Sequence, residues 1–159
     1  MGGFTLPETL LALVLVGLLA QLGLSSASRD LADARLEGAS RRVMVGLERG
    51  RDAALRLGQP CVLALSADGW QEPQGGSLPA CEGAGLDLGE GLGGGAVSLS
   101  HNLPAAVRFT SNGLIIDGGT VLLSTEGTDL VRCVVVALPL GITRLGRQGP
   151  GGCLPDPRP

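Results

Sequence analysis

The chain has 159 residues, enough for one domain of ordinary size and a short additional element, but too few for two separate cores. Aromatic residues make up only 2% and hydrophobic residues 44%, so the core must be aliphatic. All 12 basic residues are Arg, the formal net charge is −3, and the single His is His101. This composition argues against a dedicated nucleic-acid binder, a multi-histidine metal site and a His-based catalytic cluster. We therefore expect neither an enzyme nor a resident cofactor or metal.

The N-terminal segment is long and apolar. From Thr9 to Ser28 the chain carries no charged residue, and a helix of that length covers about 30 Å, the thickness of a bilayer's hydrocarbon core. A cleaved secretory signal is the alternative, but such a signal has a basic start, and residues 1–3 carry no basic side chain. The segment predicts a transmembrane helix. Glu8, at its front, needs a partner there because an unpaired carboxylate is unfavourable in lipid.

The residues before the apolar run form the most specific motif in the chain. Gly3-Phe4-Thr5-Leu6-Pro7-Glu8, followed by the run to Ala20, resembles the class III signal of type IV pilins and type II secretion pseudopilins. The resemblance implies that prepilin peptidase removes residues 1–3 by cleaving after Gly3, and that the new terminus, Phe4, is N-methylated. It also implies that Glu8 pairs with the terminal amine of a neighbouring subunit during assembly. A plain single-span anchor is the alternative.

The helix is expected to continue beyond the membrane. From Ser28 to about Leu57 there is no proline, and apolar or small residues recur every three or four positions. Gly58-Gln59-Pro60 then predicts the helix end. The whole helix would be roughly 80 Å long, which is typical of a filament subunit. Residues 4–28 form its transmembrane and assembly half, and residues 29–58 its periplasmic half.

The periplasmic half of the predicted helix carries more Arg than acidic residues, whereas the rest of the chain after it carries more acids than Arg. The Arg side chains could contact lipid headgroups or neighbouring subunits. A solvated helix face with pairs of opposite charge is the simpler alternative.

The remaining sequence has the character of β-structure. Hairpin and turn signals such as Ser111-Asn112-Gly113 separate the apolar runs at spacings short enough for antiparallel meanders. Residues 71–95 predict a long loop, and residues 148–159 a Pro/Gly-rich tail. The fold class is α+β: a long N-terminal helix packed on a C-terminal antiparallel β-sandwich or two-sheet domain over residues 59–147. The expected strands lie at 61–66, 96–100, 105–110, 114–116, 120–124, 130–138 and 141–145.

The segment from Val107 to Arg147 carries a second resemblance. Its Arg-Phe-x-x-x-Gly hairpin, Gly-Thr strand entry and final Gly-Ile-Thr-Arg-Leu-Gly-Arg strand are similar to the GspH/FimT family of minor pilins and pseudopilins. This resemblance implies a structural subunit that helps to initiate or support assembly of a type IV pilus. A pseudopilin of a type II secretion system is the alternative. The implied partners are prepilin peptidase, other pilin or pseudopilin subunits and the inner membrane, with the C-terminal domain in the periplasm.

The 4 cysteines lie outside the apolar segment, and an oxidising periplasm would keep them as disulfides. Three connectivities of Cys61, Cys81, Cys133 and Cys153 are possible. Equal separations, together with the tendency of pilins to close their C-terminal segment with a disulfide, favour Cys61–Cys81 and Cys133–Cys153. A zinc site is the alternative, although the spacing lacks the short Cys pairs of structural zinc.

Arg144 and Arg147 raise a third possibility, binding to DNA. In some FimT-like minor pilins an Arg-containing C-terminal segment contacts DNA during uptake, and the local sequence Thr143-Arg144-Leu145-Gly146-Arg147 is close to that pattern. Phosphate contacts need only a few cations on one exposed segment. Two solvated arginines at a strand end are the alternative, which the acidic balance of the domain and the single Trp favour.

Overall fold

One long helix opens the structure. The structure, a computed structural model, describes residues 5–89, 96–138 and 141–156, apart from the side chains of residues 22–26. Helix α1 runs over Leu6–Leu57, with Pro7 in its first turn, and its 52 residues give a length of about 78 Å. It ends at Gly58, whose φ of 60° is a left-handed conformation that glycine adopts without steric penalty. The predicted helix end is thus confirmed, whereas residues 1–4, with the leader, lie outside the described residues.

The two halves of α1 differ in burial. Side chains of residues 6–21 are exposed, whereas from Ala32 onward one face of the helix is buried against the rest of the chain. The buried positions keep helical spacing, with Leu36, Val43 and Leu47 among them. Among the described side chains, no helical stretch is long and apolar enough to cross a membrane. The transmembrane segment predicted over residues 4–28 is therefore not confirmed.

Nine strands follow among the described residues, and they form two antiparallel sheets. Sheet I has the strand order β3-β2-β1-β5, and sheet II has the order β4-β6-β7-β8-β9. The α+β architecture with a long N-terminal helix and two antiparallel sheets is as predicted. The strands are β1 Cys61–Leu65, β2 Gly69–Gln71, β3 Leu86–Asp87, β4 Val97–His101, β5 Val107–Phe109, β6 Gly119–Thr125, β7 Arg132–Ala137, β8 Ile142–Gly149 and β9 Gly152–Pro155.

Two predicted irregular segments contain strands. The loop expected over 71–95 holds β3, which pairs with β2, and β2 itself ends at Gln71. The tail expected over 148–159 holds the end of β8 and all of β9, which pair through a hairpin closed at Gly149 and Gly152. Conversely, 114–116 forms only an isolated bridge, between Phe109 and Ile115. Strands β3 and β9 are too short to carry a periodic apolar pattern, so the Gly- and Pro-rich composition around them predicts irregular structure instead.

The core forms where α1 meets both sheets. Two glycines of the helix leave room for the largest aromatic side chains of sheet I: Gly46 faces Trp70, and Gly50 faces Phe109. Trp70 is 3% exposed, and its indole Nε1 donates a hydrogen bond of 3.0 Å to the backbone oxygen of Val43. The indole thus packs directly against the helix. The second half of α1 is therefore an integral part of the domain's core.

Candidate functional site

The N-terminal half of α1 is the most unusual surface of the molecule. Nine large apolar side chains between residues 6 and 19 are each at least 54% exposed, and they lie all around the helix. A helix that is apolar on every side is normally surrounded by lipid or by other helices. Its exposed large side chains are Leu6, Leu10, Leu11, Leu13, Val14, Leu15, Val16, Leu18 and Leu19.

Glu8 is the charged group of this surface. Its carboxylate Oε2 lies 3.5 Å from the backbone nitrogen of Thr5, which donates to it, so the side chain turns back over the first turn of its own helix. The contact is long for a hydrogen bond, and Glu8 is exposed. The carboxylate therefore remains open to a stronger donor. Gly3 and Phe4, the residues predicted for cleavage and methylation, lie outside the described residues.

A network of ion pairs joins α1, sheet II and the C-terminal segment. Arg132 on β7 contacts Glu37 on α1 through Nη2, and its Nη1 lies 2.5 Å from Asp156 Oδ2. The Arg132 side chain is only 11% exposed, so these charges are poorly screened by water. Glu37 also accepts from Arg41, at 2.8 Å, and Asp156 lies 3.4 Å from Arg147 Nε. The sequence gives no signal for this network, because Glu37 and Arg132 are 95 positions apart.

Two other arginines of α1 are occupied by the domain itself. Arg42 donates to the backbone oxygen of Asp87 at 3.0 Å, and Arg49 donates to that of Gly85 at 3.3 Å. Both acceptors lie at β3, so the two side chains fasten this short strand to the helix. At these two positions the Arg-rich helix face binds its own domain, an arrangement that neither sequence interpretation anticipated.

Two disulfides brace the domain. Cys61 is bonded to Cys81, and Cys133 to Cys153, which are the two pairs favoured from the sequence. The first ties β1 to the segment before β3, and the second ties β7 to β9. Each closes a loop with a sequence separation of 20, for which the chain-entropy model gives about 3 kcal/mol of stabilisation. No cysteine in the described part of the chain remains free for zinc.

Arg144 and Arg147 do not form one cationic surface. Successive side chains of a strand point to opposite faces, and the two arginines of β8 are an odd number of positions apart. Arg147 points to the inner face of sheet II, where it reaches Asp156. Arg144 pairs in register with Val135 and points to the outer face, where its side chain is exposed. The structure thus separates the two residues predicted to contact DNA together.

The outer face of sheet II is otherwise uncharged. Arg144 is the only charged side chain that the described strands of this sheet place there. Beside it lies a cleft of about 150 Å³ between Val135, Cys153 and Pro155. A larger cleft of about 350 Å³ adjoins it at Cys153 and is lined by hydroxyl and amide groups such as those of Thr120 and Gln148.

Comparison with known families decides the identity of the domain. A family model described as type II transport protein GspH matches residues 39–139. The chain belongs to the GspH family. The match covers the end of α1 from Ala39, all of sheet I and strands β4, β6 and β7 of sheet II, and it confirms the resemblance seen in the sequence. Members of the GspH family are pilin-like structural subunits, minor pseudopilins or pilins. Comparison with curated proteins and with solved structures gives no significant match.

Proposed function

We propose that this GspH-family chain is a minor pilin that is processed by prepilin peptidase, held in the inner membrane by the first half of α1, and incorporated into a type IV pilus to initiate or support its assembly. The observation that carries the proposal is the contrast between the two halves of one continuous helix. The second half is buried in its own domain, whereas the first half exposes nine large apolar side chains.

The energetics of that first half require a non-aqueous partner. Burying a large aliphatic side chain is worth about 1.5–3 kcal/mol, so the nine exposed ones together represent on the order of 10 kcal/mol or more. A bilayer satisfies this surface before assembly, and a bundle of such helices satisfies it within a filament. Transfer from one environment to the other therefore costs little hydrophobic energy.

Glu8 supplies the specificity of that transfer. In a bundle of apolar helices an unpaired carboxylate is strongly unfavourable, and a cation placed against it removes most of the penalty. The weak contact with Thr5 at 3.5 Å leaves the carboxylate free to accept the terminal amine of a neighbouring subunit. Pairing of this kind would fix the axial register of one subunit against the next. The subunit would then act by packing against other subunits, without catalysing a reaction itself.

A pseudopilin of a type II secretion system is the second candidate, and the description of the matching family favours it. The same helix and the same domain would serve in either machine. Deleting the gene distinguishes the two, because a pilus subunit is needed for surface filaments whereas a pseudopilin is needed for export of secreted proteins.

The assembly role is tested with Glu8→Gln, which removes the charge and keeps the size of the side chain. Asp30→Asn is the matched control, since Asp30 is also an exposed acid of α1. We expect Glu8→Gln to be processed normally but to appear in sheared filaments at least about tenfold less, because a buried charge without its partner costs several kcal/mol. The control should be incorporated like the parent chain. Equal incorporation of Glu8→Gln and the parent chain would contradict the assigned role of Glu8.

A further inference from the structure

The larger cleft on the outer face of sheet II is enclosed by strands that are not neighbours. Residues of β4 and β6 line one side of it, and Gly152 and Cys153 of β9 line the other, although β9 is three strands away from β6 in the sheet. The disulfide between Cys133 on β7 and Cys153 accounts for this, because it draws β9 over the outer face. The volume of about 350 Å³ lies within the range of clefts that hold small ligands.

The lining of this cleft is polar but uncharged. The hydroxyl groups of Ser100 and Thr120 and the side-chain amide of Gln148 have no hydrogen-bond partner in the described part of the chain. Asn102 Oδ1 accepts a hydrogen bond of 2.6 Å from the backbone nitrogen of Thr120, which fixes this side chain and leaves its amide nitrogen as a donor. Leu122 supplies an apolar part of the lining. The cleft therefore presents several unused donors and acceptors around an aliphatic side chain.

Arg144 adds one cation beside the cleft. The register of β6, β7 and β8 places Thr120, Val135 and Arg144 in one row across the outer face. Because neighbouring strands are about 4.8 Å apart, the backbone of Arg144 lies about 10 Å from that of Thr120. Arg144 also borders the smaller cleft, which shares Cys153 with the larger one. We call the two clefts together the sheet II groove.

The guanidinium of Arg144 is available to a ligand. The side chain is exposed, and in the described part of the chain it makes no hydrogen bond and no ion pair, in contrast to Arg132 and Arg147. Its planar fork of donors matches the two oxygens of a carboxylate. The groove is therefore neutral and rich in hydroxyl and amide groups at one end, and cationic at the other.

We propose that the sheet II groove binds an acidic saccharide. Sugar hydroxyl groups exchange hydrogen bonds with Ser100, Thr120 and Gln148, the C–H face of a sugar ring covers Leu122, and a carboxylate of the ligand pairs with Arg144. A disaccharide is long enough to reach from the hydroxyl-lined end to the cation. The site goes beyond the filament role, since none of its lining residues belongs to α1.

Two other classes of ligand fit the groove less well. An extended peptide is normally bound through the backbone of a sheet edge, whereas the groove lies on a sheet face where the backbone of β6 is paired on both sides. Strong binding of a nucleic acid needs several cations, since each neutralised phosphate contributes separately to affinity. The groove offers one, because Arg147 lies on the inner face beside Asp156.

The test compares disaccharides that differ only in their carboxylates. The full-length protein, in a detergent without a sugar headgroup, is titrated with digalacturonate and digalactose, and with cellobiouronate and cellobiose, and binding is followed by saturation-transfer NMR. We expect an acidic disaccharide to bind at least about tenfold more tightly than its neutral counterpart, because pairing with Arg144 adds charge-assisted hydrogen bonds. Sodium acetate, a carboxylate without hydroxyl groups, should bind more weakly than either acidic disaccharide.

Two variants separate the ends of the groove. Arg144→Gln should remove the preference for the acidic disaccharide, and Thr120→Val should weaken binding of both members of a pair about three- to tenfold, the effect of one lost hydrogen bond. The matched controls are Arg56→Gln, at an exposed cation of α1, and Thr143→Val, on the inner face of sheet II. Both controls should bind like the parent chain.

Four results would overturn the proposal. They are no binding of either acidic disaccharide, parental affinity in both Arg144→Gln and Thr120→Val, acetate binding as tight as that of the disaccharides, and Arg144-dependent binding of duplex DNA without binding of a disaccharide. Leader removal and incorporation into filaments are measured separately, so loss of the saccharide site leaves the filament role standing.

Discussion

Gly46 on α1 fixes how closely the helix approaches sheet I. A Cβ at this position would lie 1.9 Å from Cδ1 and 2.3 Å from Nε1 of Trp70, far inside van der Waals contact. The indole cannot turn away without leaving its buried site and losing its 3.0 Å hydrogen bond to Val43. Gly46→Ala therefore forces either the helix or the indole to move.

The size of the effect follows from opposing contributions. Overpacking a core by one methyl group costs about 1–3 kcal/mol, and loss of the indole hydrogen bond costs about 1 kcal/mol more. Replacing glycine by alanine inside a helix returns about 1 kcal/mol. We therefore expect Gly46→Ala to lower the free energy of unfolding by about 1–3 kcal/mol.

The assay uses the single Trp of the chain as its own reporter. Denaturant unfolding of the full-length protein in detergent, followed by Trp70 emission, should show a lower midpoint for Gly46→Ala and a red-shifted native spectrum. Gly17→Ala is the control, because a Cβ at Gly17 meets nothing within 4 Å, and its midpoint should not fall. An unchanged or higher midpoint for Gly46→Ala would refute the packing of Trp70 against the helix.

Other contacts give further predictions. Arg132→Met should destabilise the domain by roughly 3 kcal/mol, since it leaves Glu37 and Asp156 only their contacts with the more exposed Arg41 and Arg147. Arg41→Met should cost less than about 1 kcal/mol because that side chain is 73% exposed, and thermal unfolding compares the two variants. Replacing both cysteines of Cys133–Cys153 by Ser should cost about 2–4 kcal/mol and increase hydrogen exchange in β9, with unaltered β9 protection as the contrary result. The side-chain hydrogen bond from Arg108 lowers the pKa of Asp117. Its stabilisation is present above the unfolded pKa of about 4 and is lost as pH falls through the lower folded pKa, so acid should reduce the unfolding midpoint less in Asp117→Asn than in the parent chain.

The sequence predicts the long helix and the two antiparallel sheets that follow it, but it misses the shortest strands. The end of α1 was predictable because glycine and proline act locally on the backbone at residues 58–60. Strand β9 was not, because Gly152–Pro155 has the composition of a tail and is ordered by pairing with β8 and by the bond from Cys133 to Cys153. The turn at residues 149–152 is local, but the disulfide that holds β9 in place comes from Cys133, 20 positions away, which no local pattern reports.

Some residues of the candidate sites were likewise predictable from the sequence, and others were not. Glu8 could be singled out because an acid at the front of an apolar run is unusual in itself. The network of Glu37, Arg132 and Asp156 could not, because three ordinary surface-type residues meet only after folding. The separation of Arg144 from Arg147 had a signal in the sequence: residues three apart on a strand point to opposite faces.

The most direct test of the filament role is the state of the N-terminus. The full-length chain is recovered from membranes with and without co-expressed prepilin peptidase, and its intact mass and N-terminal sequence are measured. We predict that the peptidase removes residues 1–3 and that the mature chain begins with N-methylated Phe4. A chain that keeps its leader in the presence of the peptidase, or that is cut near Ala27 and released, would contradict the proposal.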